Sequence, residues 1–161
     1  MTLLHASFTI ERTYKHAPAR VFQAFANPKI KERWFRENND PASNFALDFR
    51  VDGTERSTFH TPEDAPLPDH VRGAAFTNAT VFHDIAANER IVFSYRMACN
   101  GETMSVSLAT VEITPAGGGS RLTYTESGVF YANADGPEMR TGGWNALLDK
   151  LGAELDQHAL V

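Results

Sequence analysis

From Thr141 to Leu155 the chain reads TGGWNALLDKLGAEL, and at about 100° per residue Trp144, Leu147, Leu148, Leu151 and Leu155 fall on one stripe. Asn145, Asp149, Glu154 and Asp156 take the opposite side. A helix with such a stripe must lay it on another layer. Directly before Trp144 stand Gly142 and Gly143, each costing a helix interior about 1 kcal/mol relative to alanine. Two explanations are open. The helix begins with Thr141 as N-cap and both glycines in a frayed first turn, or the missing Cβ atoms let the helix start pass close to the loop after the first helix, or leave room at a pocket mouth roofed by Trp144.

The layer that receives the stripe is written upstream, where the pattern has period two. Residues 7–15 read as a strand, with Phe8, Ile10 and Arg12 on one face. Pro18 then suits the first turn of a short helix carrying Val21, Phe22 and Phe25. Asn27-Pro28 interrupts it, and residues 29–35 form a second short helix ending in Trp34-Phe35. Phe45, Leu47, Phe49 and Val51 alternate as a strand up to the turn Asp52-Gly53, and residues 54–61 return antiparallel.

Residues 62–70, PEDAPLPDH, have no periodicity and read as a mobile surface loop. Three long strands follow at 71–83, 90–99 and 102–114, the second with Ile91, Phe93, Tyr95, Met97 and Cys99 on one face and the third joined to it by Asn100-Gly101. In the third, Met104, Val106 and Leu108 sit at even positions and Val111 and Ile113 at odd ones, which predicts a bulge near Ala109-Thr110. Gly117 to Gly119 turn into a last strand at 121–130. A loop at 133–136 leads to the terminal helix, which runs to about Gln157. The fold class is α+β: a curved antiparallel sheet wrapped around a long C-terminal helix, with two short helices after the first strand.

The 161 residues suit one domain, spanning 1–161, with a single core. Fifteen basic against twenty acidic side chains give a net charge of −5, which disfavours nucleic acid or an anionic membrane as partner. No stretch approaches the roughly 20 apolar residues of a membrane span, and the amino terminus lacks a signal-peptide core, so a cytoplasmic location is expected. A single cysteine, Cys99, excludes an internal disulfide and agrees with a reducing compartment. The six histidines have no metal-ligand spacing, and neither a metal nor a cofactor is expected.

In order, the strings APARVFQAFANPKIKERWF, LDFRVDGTE, FHDIAANERIVFSY, SVSLATVEITPAGGGSRLTYTESGVF and GGWNALLDKLGAEL resemble the START-like (SRPBCC) helix-grip superfamily. Within it the chain is most similar to the family related to the activator of the 90-kDa heat-shock protein ATPase. The resemblance implies a helix-grip fold with a cavity between sheet and terminal helix. Since the superfamily includes lipid carriers, cyclases and co-chaperones, it implies three roles: binding of a small apolar, lipid-like or aromatic molecule, a polyketide cyclase or dehydratase-like reaction, or regulation of the heat-shock protein.

Candidate site residues follow from strand parity. Glu126 shares a face with Leu122 and Tyr124, so it points inward, where a carboxylate needs a partner or a polar ligand. It is the candidate acid–base group for the enzymatic role. Tyr95 and Tyr124 bring hydroxyls into the apolar shell. Trp34, Phe49, Phe93, Met97, Trp144 and Leu148 complete the expected cavity wall. An edge strand at 8–14 could pair with a second copy in a homodimer.

Overall fold

A computed structural model describes residues 2–36, 40–132 and 136–158. Its strands are β1 (Leu4–Tyr14), β2 (Asn44–Leu47), β3 (Thr54–His60), β4 (Ala75–Ala86), β5 (Arg90–Cys99), β6 (Glu102–Ala116) and β7 (Gly119–Phe130). The helices are α1 (Pro18–Ala26), α2 (Pro28–Phe35) and α3 (Gly136–Gln157). All strand neighbours are antiparallel, in the order β1-β7-β6-β5-β4-β3-β2. The sheet curves without closing, and α3 lies in its concavity. This is the helix-grip α+β architecture.

The two short helices meet at one residue. Asn27 ends α1 by donating its backbone N–H to Gln23 O, and its Oδ1 caps α2 by accepting from Lys29 N and Ile30 N at 3.0 and 3.3 Å. Pro28 therefore opens α2 at a position where no N–H is required. Val21, Phe22, Ala24 and Phe25 of α1 are buried. Lys31 of α2 forms a buried ion pair with Glu55 of β3, its ammonium 4.7 Å from the centre of the Phe35 ring.

The stripe of α3 is buried as its spacing requires, with Leu148, Leu151 and Leu155 at 0–1% exposure. Each fully buried leucine supplies about 1.5–3 kcal/mol. On β1, Tyr14 donates to Leu148 O at 2.8 Å and Arg12 to Asp149 Oδ1 at 2.5 Å, which fixes the helix along the sheet.

Several boundaries and one face differ from the sequence reading. The ladder of β2 stops at Leu47, because residues 48–53 form a wider loop in which Asp48 N bonds Thr54 O and Gly53 N bonds Arg50 O. Phe49 still faces inward, edge-on to Phe22 and Phe82, whereas Val51 is exposed. Strand β4 starts at Ala75, after a turn-rich stretch from 62 to 73. Glu154 belongs to the buried side of α3, where Arg33 of α2 grips its carboxylate at 2.7 and 2.9 Å. That hydrogen bond outweighs burial and holds the Glu154 carboxyl below its ordinary range. The helix begins at Gly136, so Gly142 and Gly143 lie in its second turn and not in a frayed first one. The loop expected at 133–136 lies, except for Gly136, outside the described residues.

The bulge is also elsewhere. Met97 pairs with Ser105 and Ala98 with Thr103, so the extra residue of β6 is Met104. Beyond it Ser105, Ser107, Ala109, Val111 and Ile113 face inward, and Val106 and Leu108 are 45% and 52% exposed on the convex face. Hydrophobicity misread the parity because the inward positions here are serines and the outward ones aliphatic. Accordingly Leu108→Lys should change unfolding free energy by no more than about 0.5 kcal/mol. Ala109→Leu, at a fully buried position, should cost about 1–3 kcal/mol by overpacking. Urea unfolding of both variants checks the register, and the reverse ranking would contradict it.

Candidate functional site

Strands β5, β6 and β7 bring Tyr95, Ser107 and Glu126 together across the concave face, with Ala109 opposite Glu126 and Gly128 opposite Ser107. Glu126 is fully buried. Its Oε1 accepts from Tyr95 OH and Tyr124 OH, both at 2.6 Å, and its Oε2 accepts from Ser107 Oγ at 2.7 Å and Arg140 Nη1 at 3.1 Å. Those four donors use the lone-pair sites of a carboxylate. Without them a buried carboxylate would cost several kcal/mol.

Small side chains make the room. A Cβ on Gly128 would stand 2.4 Å from Ser107 Oγ, so only glycine there leaves the serine in place. Arg140 enters from the first turns of α3, donates also to Tyr95 OH at 2.9 Å and Ser105 Oγ at 2.7 Å, and lies over the Phe130 ring at 5.1 Å. Trp144, one turn on, stacks on Tyr124 with ring centroids 4.0 Å apart and points its Nε1–H at Tyr95 OH, 3.4 Å away. Burial first, and the Glu126 charge second, push the Tyr95 phenol above its ordinary value, against the pull of Arg140. Burial first, followed by the charges of Tyr95 and Glu126, raises Tyr124 as well. Both phenols are thereby kept as donors.

Beside this network opens a cleft of about 340 Å³, between α3 and the inner faces of β3, β4 and β5, with the end of α2 at its edge. Phe35, Phe59, Met97, Trp144 and Leu147 give it apolar walls, and Tyr95 and Arg140 are its polar contact with the network. Gly143 lines it, and a Cβ built there meets nothing within 4 Å. The glycine pair therefore marks open space and not a close approach to the loop after α1.

Of the nine residues expected at the cavity, Tyr95, Met97 and Trp144 line the cleft. Glu126 and Tyr124 lie in the network that Tyr95 and Arg140 share with it. Phe49, Phe93, Trp34 and Leu148 pack in the core, where Trp34 donates its indole N–H to Ala24 O at 2.8 Å. Arg140, Ser105 and Ser107 were missed. Arg140 could have been found by running the stripe backwards from Leu155, Leu151, Leu148 and Trp144, since 140 is the next position on that face. The serines were hidden by the parity error. Among the described residues no three His, Cys, Asp or Glu side chains converge as a metal site, and no helix is long and apolar enough to cross a membrane.

The long helix gripped by an open sheet, with a cleft at their junction, defines a START-like helix-grip protein. The profile of the activator of Hsp90 ATPase homolog 1-like proteins matches residues 15–156, and the chain belongs to that family. The crystal structure of the Mll3558 protein of Rhizobium loti is similar at 43% identity, with a TM-score of 0.82 over 96% of this chain and 100% of that one. A protein of Rhizobium leguminosarum is similar at 33% identity and a TM-score of 0.85, over 98% of each chain. A protein of the dynemicin biosynthetic locus shares the fold alone, at 12% identity and a TM-score of 0.65, over 94% of this chain and 47% of that one. None of the curated proteins matches.

Two measurements test the network. Glu126→Ala takes the shared carboxylate from four buried donors at once and should cost about 3–5 kcal/mol in chemical unfolding; a loss below about 1 kcal/mol would contradict the arrangement. For the phenols the sign follows from their raised folded-state pKa. Their contribution is complete below the unfolded value of about 10 and is lost as pH rises through the folded values. Alkaline titration of tyrosinate absorbance should therefore find Tyr95 and Tyr124 silent at pH values where the denatured chain is fully ionised, with Tyr14, raised by burial to about 12, also late. Tyr95→Phe and Tyr124→Phe should each remove one late group.

Proposed function

We propose that this chain is a binding module, one domain that holds a small, largely apolar molecule in the cleft between the sheet and the first half of α3. The observation that carries the reading is the cleft itself. Its volume of about 340 Å³ falls at the lower end of the roughly 300–1,000 Å³ of small-molecule sites, and apolar walls with a few placed polar groups are the usual composition of such sites. Gly143 supports it further, since a helix gains about 1 kcal/mol from any better residue at an interior glycine and this one faces empty space. Retention of glycine there is accounted for if the space is used.

The acid–base role for Glu126 has less support. All four acceptor positions of its carboxylate are taken, and it is not part of the cleft lining, whereas a general acid or base must reach the reacting atoms. A chaperone partner is suggested by the family alone and by no feature of the site.

Native mass spectrometry of freshly purified protein should find a retained small molecule. In a thermal-shift screen of hydrophobic compounds, a true ligand at a hundred times its Kd should stabilise by about 2.7 kcal/mol, or roughly 5–10 °C. Gly143→Leu should fill the cleft, keep or raise the melting temperature of the free protein, and abolish the shift. Absence of any shift across the screen, or a shift that survives in Gly143→Leu, would remove the proposal.

A further inference from the structure

The charged residues that line the cleft are Arg36, Arg140 and Lys150, and among the described residues no aspartate or glutamate lines it. This is unexpected in a chain with five more acidic than basic side chains. Among the described residues, the carboxylates that pair with these cations stand outside the lining: Glu126 behind Arg140, and Glu32 one helical turn before Arg36 at 3.5 Å. Lys150 makes no ion pair among the described residues, while the neighbouring Asp149 is engaged by Arg12. Arg140 is at the buried end of the cleft, with 7% of its side chain exposed, and Arg36 and Lys150 are at the solvent side, with Arg36 34% exposed.

The sheet wall adds neutral polarity. Ser57 and Asn78 pair across β3 and β4 on the cleft side. Asn78 Oδ1 accepts from Thr80 Oγ1 at 3.3 Å, which leaves the amide N–H donors of Asn78 without a partner among the described residues. Cations at the mouth, with aromatic and thioether side chains beyond them, are complementary to an apolar molecule that carries one anionic end. Walls of low dielectric strengthen the effect, because a cleft lined by one sign of charge focuses its field on the opening.

Resting on the binding reading above, we infer that the molecule held in the cleft is an anionic amphiphile. Its apolar body lies against Phe59, Met97 and Trp144, and its carboxylate or similar anionic head group is met at the solvent side by Lys150 and Arg36. Arg36 is further held by Ser43, to whose carbonyl it donates at 2.7 Å, so its guanidinium is placed in advance. Lys150 is the more adjustable partner, being exposed and without an ion pair among the described residues.

The test compares three molecules of one chain length and different head-group charge: decanoate, decanol and decylammonium, titrated calorimetrically below their micelle concentrations. Decanoate should bind about five- to tenfold more tightly than decanol at low salt, the gain expected of one or two partly exposed ion pairs, and decylammonium more weakly than decanol. Added salt should narrow the difference. Lys150→Glu, an exposed change that leaves the fold intact, should bring decanoate down to the affinity of decanol and leave decanol unchanged. Equal affinities for all three, or a preference for the cation, would overturn the anionic assignment alone, provided that Gly143→Leu still abolishes binding. Failure of all three to bind, or binding that persists in Gly143→Leu, would overturn the cleft reading with it.

Discussion

The ion pair between Arg140 and Glu126 is the constraint on which the arrangement of helix and sheet depends. A carboxylate with no exposure has to be matched by donors, and the donors come from β5, β6, β7 and α3 together. Because Arg140 reaches Glu126, Tyr95 and Ser105 from a single position on α3, the helix can neither slide nor turn without breaking several charge-assisted bonds at once. Leucines alone would not do this, since apolar contact is non-directional. The network sets the rotation of the helix, and that rotation puts Gly143 and Trp144 beside the cleft.

The two ends of α3 serve different purposes. Its second half drives Leu148, Leu151 and Leu155 into a solid interior shared with α1, β1 and β7, and is tied to the rim by Arg12, Tyr14 and Arg33. Its first half sets Gly143 and Trp144 beside the cleft. The aromatic chain Phe22, Phe49, Phe82, Phe93 and Tyr95 runs between these regions, successive rings 5.1–6.2 Å apart. It forms a continuous wall from the packed end to the open one.

Most of this architecture was legible in the sequence, for identifiable reasons. Strand β5 was found with its ends because Arg90 and Cys99 bound an unbroken alternation, and α3 was oriented because five apolar residues share one stripe. Glu126 was placed inward from parity alone. The reading failed where polarity and burial part company. On β6 the inward residues are Ser105 and Ser107 and the outward ones Val106 and Leu108, so a rule that sends apolar residues inside put the bulge five residues too late. Glu154 failed for the same reason, since its charge suggested solvent and Arg33 brought it in. Both errors lie at buried polar groups, whose partners are distant in the chain and invisible to any local pattern.

Gly128 and Ser107 carry a consequence for how such a sequence can drift. They face each other on neighbouring strands with no room for a methyl group between them, so the two positions form a single choice. Alanine at 128 displaces the hydroxyl, and the buried carboxylate then loses one of its four donors. Descendants of this chain can therefore trade the polar heart for a greasy one only by changing several strands and the helix in concert, and one glycine of the sheet is the latch on that exchange.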